Sequence, residues 1–269
     1  MADPFVCIGA MKSGTTSLYE ILRRHPQVDL VAEKESSELA AAISAERFAA
    51  RIAGSTARVA GEVSTAYMQA PVHDQPTRRA AELGKNLRLI AIVRDPYQRA
   101  ISHWQHWVQL GRESRPVEEA LLDPDGPYRA FSSYYRQLGP WLDEFGFDSL
   151  HLIRLEDYQT DPTATARSLW EFLGVDARGD DDGVEVHANA ATDRVVAVGA
   201  GRRIRDLPIY RLVRPLVPGN ARRKVSAALG GTKNRQQADP TGDLRARFGE
   251  LVAADVVELQ AHWPQFRWD

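Results

Sequence analysis

The sequence predicts an α/β fold, a P-loop-like three-layer arrangement with a central, mainly parallel β-sheet flanked by helices. Three observations carry this. Strand-like apolar runs alternate with helix-period stretches along most of the 269 residues. Residues 87–93 are almost continuously apolar, as expected of a strand covered on both faces of a parallel sheet. Residues 5–8 form a short apolar run that ends in a Gly/Ser/Thr-rich loop, and the loop leads into a helical pattern.

The first strand, loop and helix already suggest chemistry. Loop amides and a helix N-terminus direct their positive ends at one spot and favour an anion there. Gly9 and Gly14 let the backbone approach closely. Thr15, Thr16 and Ser17 supply hydroxyls, and Lys12 supplies a mobile charge. The two glycines match the spacing of the phosphate-binding pattern G-x-x-x-x-G-K-[ST], but Thr15 stands at its lysine position and the lysine has moved forward to Lys12. The strand at 87–93 ends in Arg94-Asp95-Pro96, where a metal-dependent NTPase would more often show apolar residues and a Mg²⁺-binding aspartate. The pattern suits a nucleotide held by cationic side chains and amides without a metal. An ordinary turn between strand and helix is the alternative.

Lys12-Ser13-Gly14-Thr15-Thr16-Ser17-Leu18 after an apolar strand resembles the 5′-phosphosulfate loop of sulfotransferases that use 3′-phosphoadenosine 5′-phosphosulfate (PAPS). The continuation, residues 22–28, is similar to the branch that holds bacterial and heparan-sulfate-type enzymes. The resemblance implies that Lys12, Ser13, Gly14, Thr15, Thr16 and Ser17 bind the 5′ end of the donor, which leaves as 3′-phosphoadenosine 5′-phosphate (PAP), and that no metal is required.

The remaining elements follow in order. Leu18, Ile21 and Leu22 recur at helical spacing, and Pro26 ends that helix at His25. A short strand is expected at 28–31. Lys34-Glu35 comes next, and in the resembled family a Lys-Glu pair at this place carries the catalytic base, which implies that role for Glu35. Read on its own, the segment is a charged loop. The family's next residues are often aromatic, whereas here they are Ser36 and Ser37. A helix is expected at 40–53 and a strand at 58–63. Glu62-Val63-Ser64-Thr65-Ala66-Tyr67 resembles a family segment, with Val63 in place of a lysine and Thr65 in place of a proline. Glu62 is the rival to Glu35 as base.

A loop and a helix are expected at 71–83. After the strand at 87–93, Pro96 opens a helix. Arg94, Arg99 and Ser102 follow in a pattern that resembles the family's 3′-phosphate motif, in which Arg94 and Ser102 would hold the phosphate. A guanidinium fork and a nearby hydroxyl suit that task. His103 and His106 share a helix face; metal ligands or a base are the alternative, but with no third metal ligand at plausible spacing they read as polar or half-buried helix residues. Substrate contacts are expected within 111–128, which includes a helical piece at 117–122. An aromatic-rich helix from Tyr134 to Phe145, a strand at 150–155 and a helix at 163–173 complete the scaffold.

Residues 194–235 hold eleven Lys/Arg and one acid, Asp206, with apolar residues interleaved. This predicts either a basic cover over an anionic nucleotide or peripheral contact with an anionic lipid or protein surface. Lys233, Asn234 and Arg235 resemble the family's late loop that closes on the nucleotide phosphate. A last helix follows, with Trp263, Phe266 and Trp268 anchoring the end of the chain.

Composition bounds the rest. Hydrophobic residues make up 43% and charged residues 26%, with a net charge of -2, which points to a globular domain and to no nucleic-acid partner. Cys7 is the only cysteine, so no intrachain disulfide forms. Neither a signal-peptide pattern nor a membrane-length apolar run is present, which leads us to expect a cytoplasmic, bacterial enzyme. The sequence therefore predicts one sulfotransferase domain over 1–269 that moves a sulfuryl group from PAPS to a hydroxyl of a glycan, lipid or secondary metabolite. A P-loop kinase or NTPase, or a non-catalytic nucleotide-binding protein, is the alternative. The sequence fixes neither the acceptor nor the oligomeric state.

Overall fold

All five strands of the central sheet run parallel, in the spatial order β2-β3-β1-β4-β5. They are β1 (Asp3–Gly9), β2 (Val28–Leu30), β3 (Val59–Val63), β4 (Arg88–Val93) and β5 (Leu150–Arg154). The structure, a computed structural model, describes residues 2–72, 76–84, 86–177 and 243–268. The basic segment 194–235, with Lys233, Asn234 and Arg235, lies outside the described residues.

Side-chain alternation along the strands sorts the core into two layers. Phe5, Cys7, Ile90 and Ile92 pack with Leu18 and Leu22 of α1 (Thr15–Arg24) and with Leu169 and Leu173 of α9 (Pro162–Leu173). Val6, Ile8, Leu89 and Val93 face the other way. They meet Phe48 of α2 (Ala42–Gly54) and Leu138 and Trp141 of α7 (Tyr134–Phe145). Cys7 is fully buried and burial pushes its thiol up to about 12, so it stays protonated and acts as a small hydrophobe.

The other helices are α3 (Pro76–Ala81), α4 (Pro96–Leu110), α5 (Val117–Leu121), α6 (Pro127–Ala130), α8 (Leu155–Thr160) and α10 (Asp243–His262). Leu244, Phe248 and Val252 of α10 join a third apolar cluster with Tyr97, Ile101 and Trp104 of α4. Phe266 is buried beyond α10, and the Trp268 indole donates to Glu156. Strand and helix ends fall within two residues of those expected over most of the described chain. None of the described helices is long and apolar enough to cross a membrane.

Candidate active site

In a parallel sheet every strand ends on the same edge, and the crevice outside that edge is where open α/β sheets bind ligands. The strand order reverses at β1, with β3 on one side and β4 on the other. A cleft of about 640 Å³ opens there. It collects Lys34 and Glu35 from beyond β2, Thr65 from beyond β3, Met11, Lys12 and Gly14 from the loop after β1 with Thr15, Thr16 and Ser17 of the first turn of α1, Arg94 from the end of β4, and Leu155 just past β5.

The loop after β1 behaves as its composition predicts. Gly14 has φ 97°, a conformation that favours glycine, and a Cβ there would lie 2.6 Å from Leu155 Cδ1 and force that side chain to move. It caps α1, whose first turn carries no acid and whose last turn carries Arg23 and Arg24, charges that complement the helix dipole. Lys12, Thr15, Thr16 and Ser17 all line the cleft. Ser13 does not: its side chain is fully buried, and its amide donates to the Ala10 carbonyl. The hydroxyls available to a ligand are therefore those of Thr15, Thr16 and Ser17.

Beside the loop, β4 delivers Arg94. It is half-buried, and among the described residues its guanidinium has no protein partner. Ser102, two turns into α4, lines the same cleft. Asp95 caps α4 by accepting from the Gln98 amide at 2.7 Å, and Arg245 pairs with it at 3.0 Å, so a second cation offsets its charge. Arg99 is structural. It is fully buried, donates to Ser132 Oγ at 2.7 Å and to the Tyr128 carbonyl at 2.8 Å, and burial lowers it to about 10.

On the β2 side, Glu35 stands at φ 63°, a left-handed state that costs a non-glycine residue about 1–2 kcal/mol. Its amide donates to the Val63 carbonyl, and its Oε2 accepts from both Thr65 N and Thr65 Oγ1 at 2.8 Å. Lys34 Nζ pairs with Oε1 at 2.7 Å. The side chain remains 39% exposed and lines the cleft, so a hydroxyl can reach it. Glu62, its rival, is fully buried and outside the cleft lining. Burial raises its carboxyl above the usual range, against hydrogen bonds from Tyr67 and Ser36 that favour the charged form. Of the two carboxylates, Glu35 alone can meet a substrate.

Several lining residues were not singled out from the sequence: Gln69, Trp107, Arg112 and Gln159. His106, read as an ordinary half-buried helix residue, lines the cleft as well, while His103 is fully buried. A signal existed for His106, since it stands four residues after Ser102 and shares its helix face. Arg112 belongs to the 111–128 stretch in which substrate contacts were expected. Its neighbour Glu113 is fixed by Arg115 and Tyr128, and Arg115 holds its carboxyl down to about 2.

Comparison with known proteins bears on this arrangement. The sulfotransferase-domain family profile matches residues 2–191. Heparan sulfate glucosamine 3-O-sulfotransferase 3B1 of Mus musculus is 26% identical over 183 residues, covering 63% of this chain and 45% of that protein. Membrane-associated sulfotransferase kil1 of Dictyostelium discoideum is 33% identical over 122 residues, covering 43% and 25%. The chain spans about half the length of the curated relatives it matches. Among solved structures, a sulfotransferase from Alicyclobacillus acidocaldarius superposes with TM-score 0.65 at 20% identity, covering 97% of this chain and 95% of that one. A mouse sulfotransferase complexed with PAP superposes with TM-score 0.54 at 17% identity, covering 99% and 89%. These two share the fold, and the family profile spans well over half of the sequence. The chain belongs to the sulfotransferase domain family.

Proposed function

We propose that this protein transfers a sulfuryl group from PAPS to an acceptor hydroxyl by in-line displacement. The observation that carries the reading is Arg94. Among the described residues its half-buried guanidinium has no protein partner, so it is available to an anion in the cleft. It shares one cleft with the phosphate loop on the neighbouring strand. Two anion-binding groups at neighbouring strand ends suit a nucleotide with phosphates at both its 5′ and 3′ ends. The mouse protein of similar fold was solved with PAP, which has that pattern.

In this reading the loop amides, Thr15, Thr16 and Ser17 hold the 5′-phosphosulfate, and Arg94 and Ser102 hold the 3′-phosphate. The acceptor oxygen attacks sulfur and its proton passes to Glu35. The bond from sulfur to the phosphate oxygen breaks, PAP leaves with the electron pair, and Lys12 stabilises the charge growing on that oxygen. The relatives' names speak for a glycan hydroxyl as acceptor, while lipid and secondary-metabolite hydroxyls are competing outcomes of the assay.

The test is incubation with ³⁵S-labelled PAPS and fractionated host extract, alongside calorimetric titration with PAP and with ATP·Mg²⁺. Labelled product together with metal-independent PAP binding is the expected result. Turnover of ATP without PAP binding would make the protein a kinase or NTPase, and PAP binding without any labelled product would make it a nucleotide sensor.

A further inference from the structure

Glu62 has no place in the transfer just described, yet the structure spends much on it. It is a fully buried carboxylate whose two oxygens are both engaged. Oε1 accepts from the Tyr67 hydroxyl. Oε2 accepts from Ser36 Oγ at 2.9 Å and, more weakly, from the Glu38 amide at 3.5 Å. The Tyr67 hydroxyl in turn accepts from the Leu39 amide at 2.8 Å. Apart from Tyr67, these donors belong to one short stretch, residues 36–39, that directly follows Glu35.

That stretch needs outside support. Glu35 and Ser37 both adopt left-handed backbone, at φ 63° and φ 57°, and neither is glycine. Such states persist only where surrounding contacts over-determine them. Besides the local bonds of Ser36 N to Glu33 O, Ala40 N to Ser37 O and Lys34 Nζ to Glu35 Oε1, and the contacts of Ser44 Oγ with Glu38 O, Arg79 with Leu39 O and Arg51 with the Glu38 carboxylate, the hydrogen bonds holding 35–39 come from the end of β3 and the turn beyond it. They are Val63 O and Thr65 to Glu35, Glu62 to Ser36 and Glu38, Ser64 to Ser37, and Tyr67 to Leu39.

We propose that Glu62 is a positioning residue for Glu35: with Tyr67 it clamps residues 36–39 and so sets the carboxylate of Glu35 against Thr65 at the cleft wall. The inference rests on Glu35 as the proton acceptor in the proposed reaction. Glu62 itself touches neither nucleotide nor acceptor. The chain keeps a buried carboxylate here because three donors converge on it, a pattern that glutamine cannot satisfy since its amide nitrogen donates and does not accept.

Wild type, Glu62→Gln, Glu35→Gln and the double variant are compared by PAP affinity, by ³⁵S transfer to the labelled host fraction, and by amide hydrogen exchange across 35–39. Ser36→Ala is the milder variant, because it removes one exposed donor and leaves the core intact. The expected result is unchanged PAP affinity in every variant. Transfer should fall about tenfold in Glu62→Gln but less than about twofold when the same change is made on Glu35→Gln, since residues acting as one unit are non-additive. The Glu38 and Leu39 amides should exchange faster in Glu62→Gln, and Ser36→Ala should show a smaller effect of the same kind. An equal loss of transfer in both backgrounds, a parallel loss of PAP affinity, or unchanged exchange at 38 and 39 would overturn the proposal. Absence of labelled product in wild type would instead count against the reaction itself, while the exchange experiment would still decide whether Glu62 holds the segment.

Discussion

The loop after β1 and the 35–39 segment both reach the cleft, the latter through Glu35, and each carries a non-glycine residue at positive φ, Lys12 at 68° and Glu35 at 63°. Their support differs. The loop is set mostly by its neighbours in sequence, strand β1 before it and Gly14 and α1 after it, with one backbone bond from Ala10 N to Ile92 O of β4. The 35–39 segment is held mainly from a distance, by residues 62–67 of another strand end. An anion cradle can thus be encoded locally, because backbone amides do the binding, while a proton acceptor needs a tertiary clamp to present one side chain.

The largest effect should come from breaking the local half. Lys12→Ala is expected to lower transfer by about 10³-fold while leaving the fold intact, the scale of losing one group that stabilises developing negative charge. Circular dichroism and ³⁵S transfer check this together, and full activity would refute the assigned role. Glu35→Gln breaks the clamped half. Transfer should drop by about 10²-fold with PAP affinity unchanged, the lower range for a general base. Loss of PAP binding in that variant would mean Glu35 belongs to the donor site.

Arg94→Ala sharpens the nucleotide end. PAP affinity should weaken by about 10- to 100-fold in calorimetry, as for one charge-assisted phosphate contact, while ADP, which lacks the 3′-phosphate, should be nearly unaffected. Equal loss for both nucleotides would place Arg94 elsewhere on the ligand.

The smallest effect concerns the wall behind the cleft. Burial, and then the neighbouring Arg99 charge, drive His103 down to about 2, with His106 and Lys12 acting the same way and Glu113 against them. The unfolded chain takes up a proton near pH 6.5 that the folded protein refuses, so stability should fall as pH drops below that value. In His103→Gln the urea midpoint should depend less on pH between about 7 and 5. An unchanged slope would show that His103 does not contribute to it.

This contrast also explains what was legible in the sequence. The parallel sheet was, because β4 reads as an apolar run and β1 leads into its glycine loop. Arg94 and Ser102 were singled out through resemblance to the family's 3′-phosphate motif, and both line the cleft. Glu35 was legible only through resemblance, since nothing local separates it from Glu33 or Glu38; the bonds from Thr65 that distinguish it cross thirty residues of sequence. Ser13 looked equivalent to the hydroxyls beside it until packing turned it inward. Gln69, Trp107 and Arg112 became visible only once separate elements met at the cleft, and sequence spacing does not encode that meeting.

The central claim is that the ends of β1 and β4 grip the two ends of one nucleotide, and a crystal structure with PAP tests it most directly. The account predicts the 5′-phosphate on the loop between Gly9 and Ser17 and the 3′-phosphate on Arg94 and Ser102. PAP bound away from these two strand ends, or oriented so that Arg94 meets no phosphate, would contradict it.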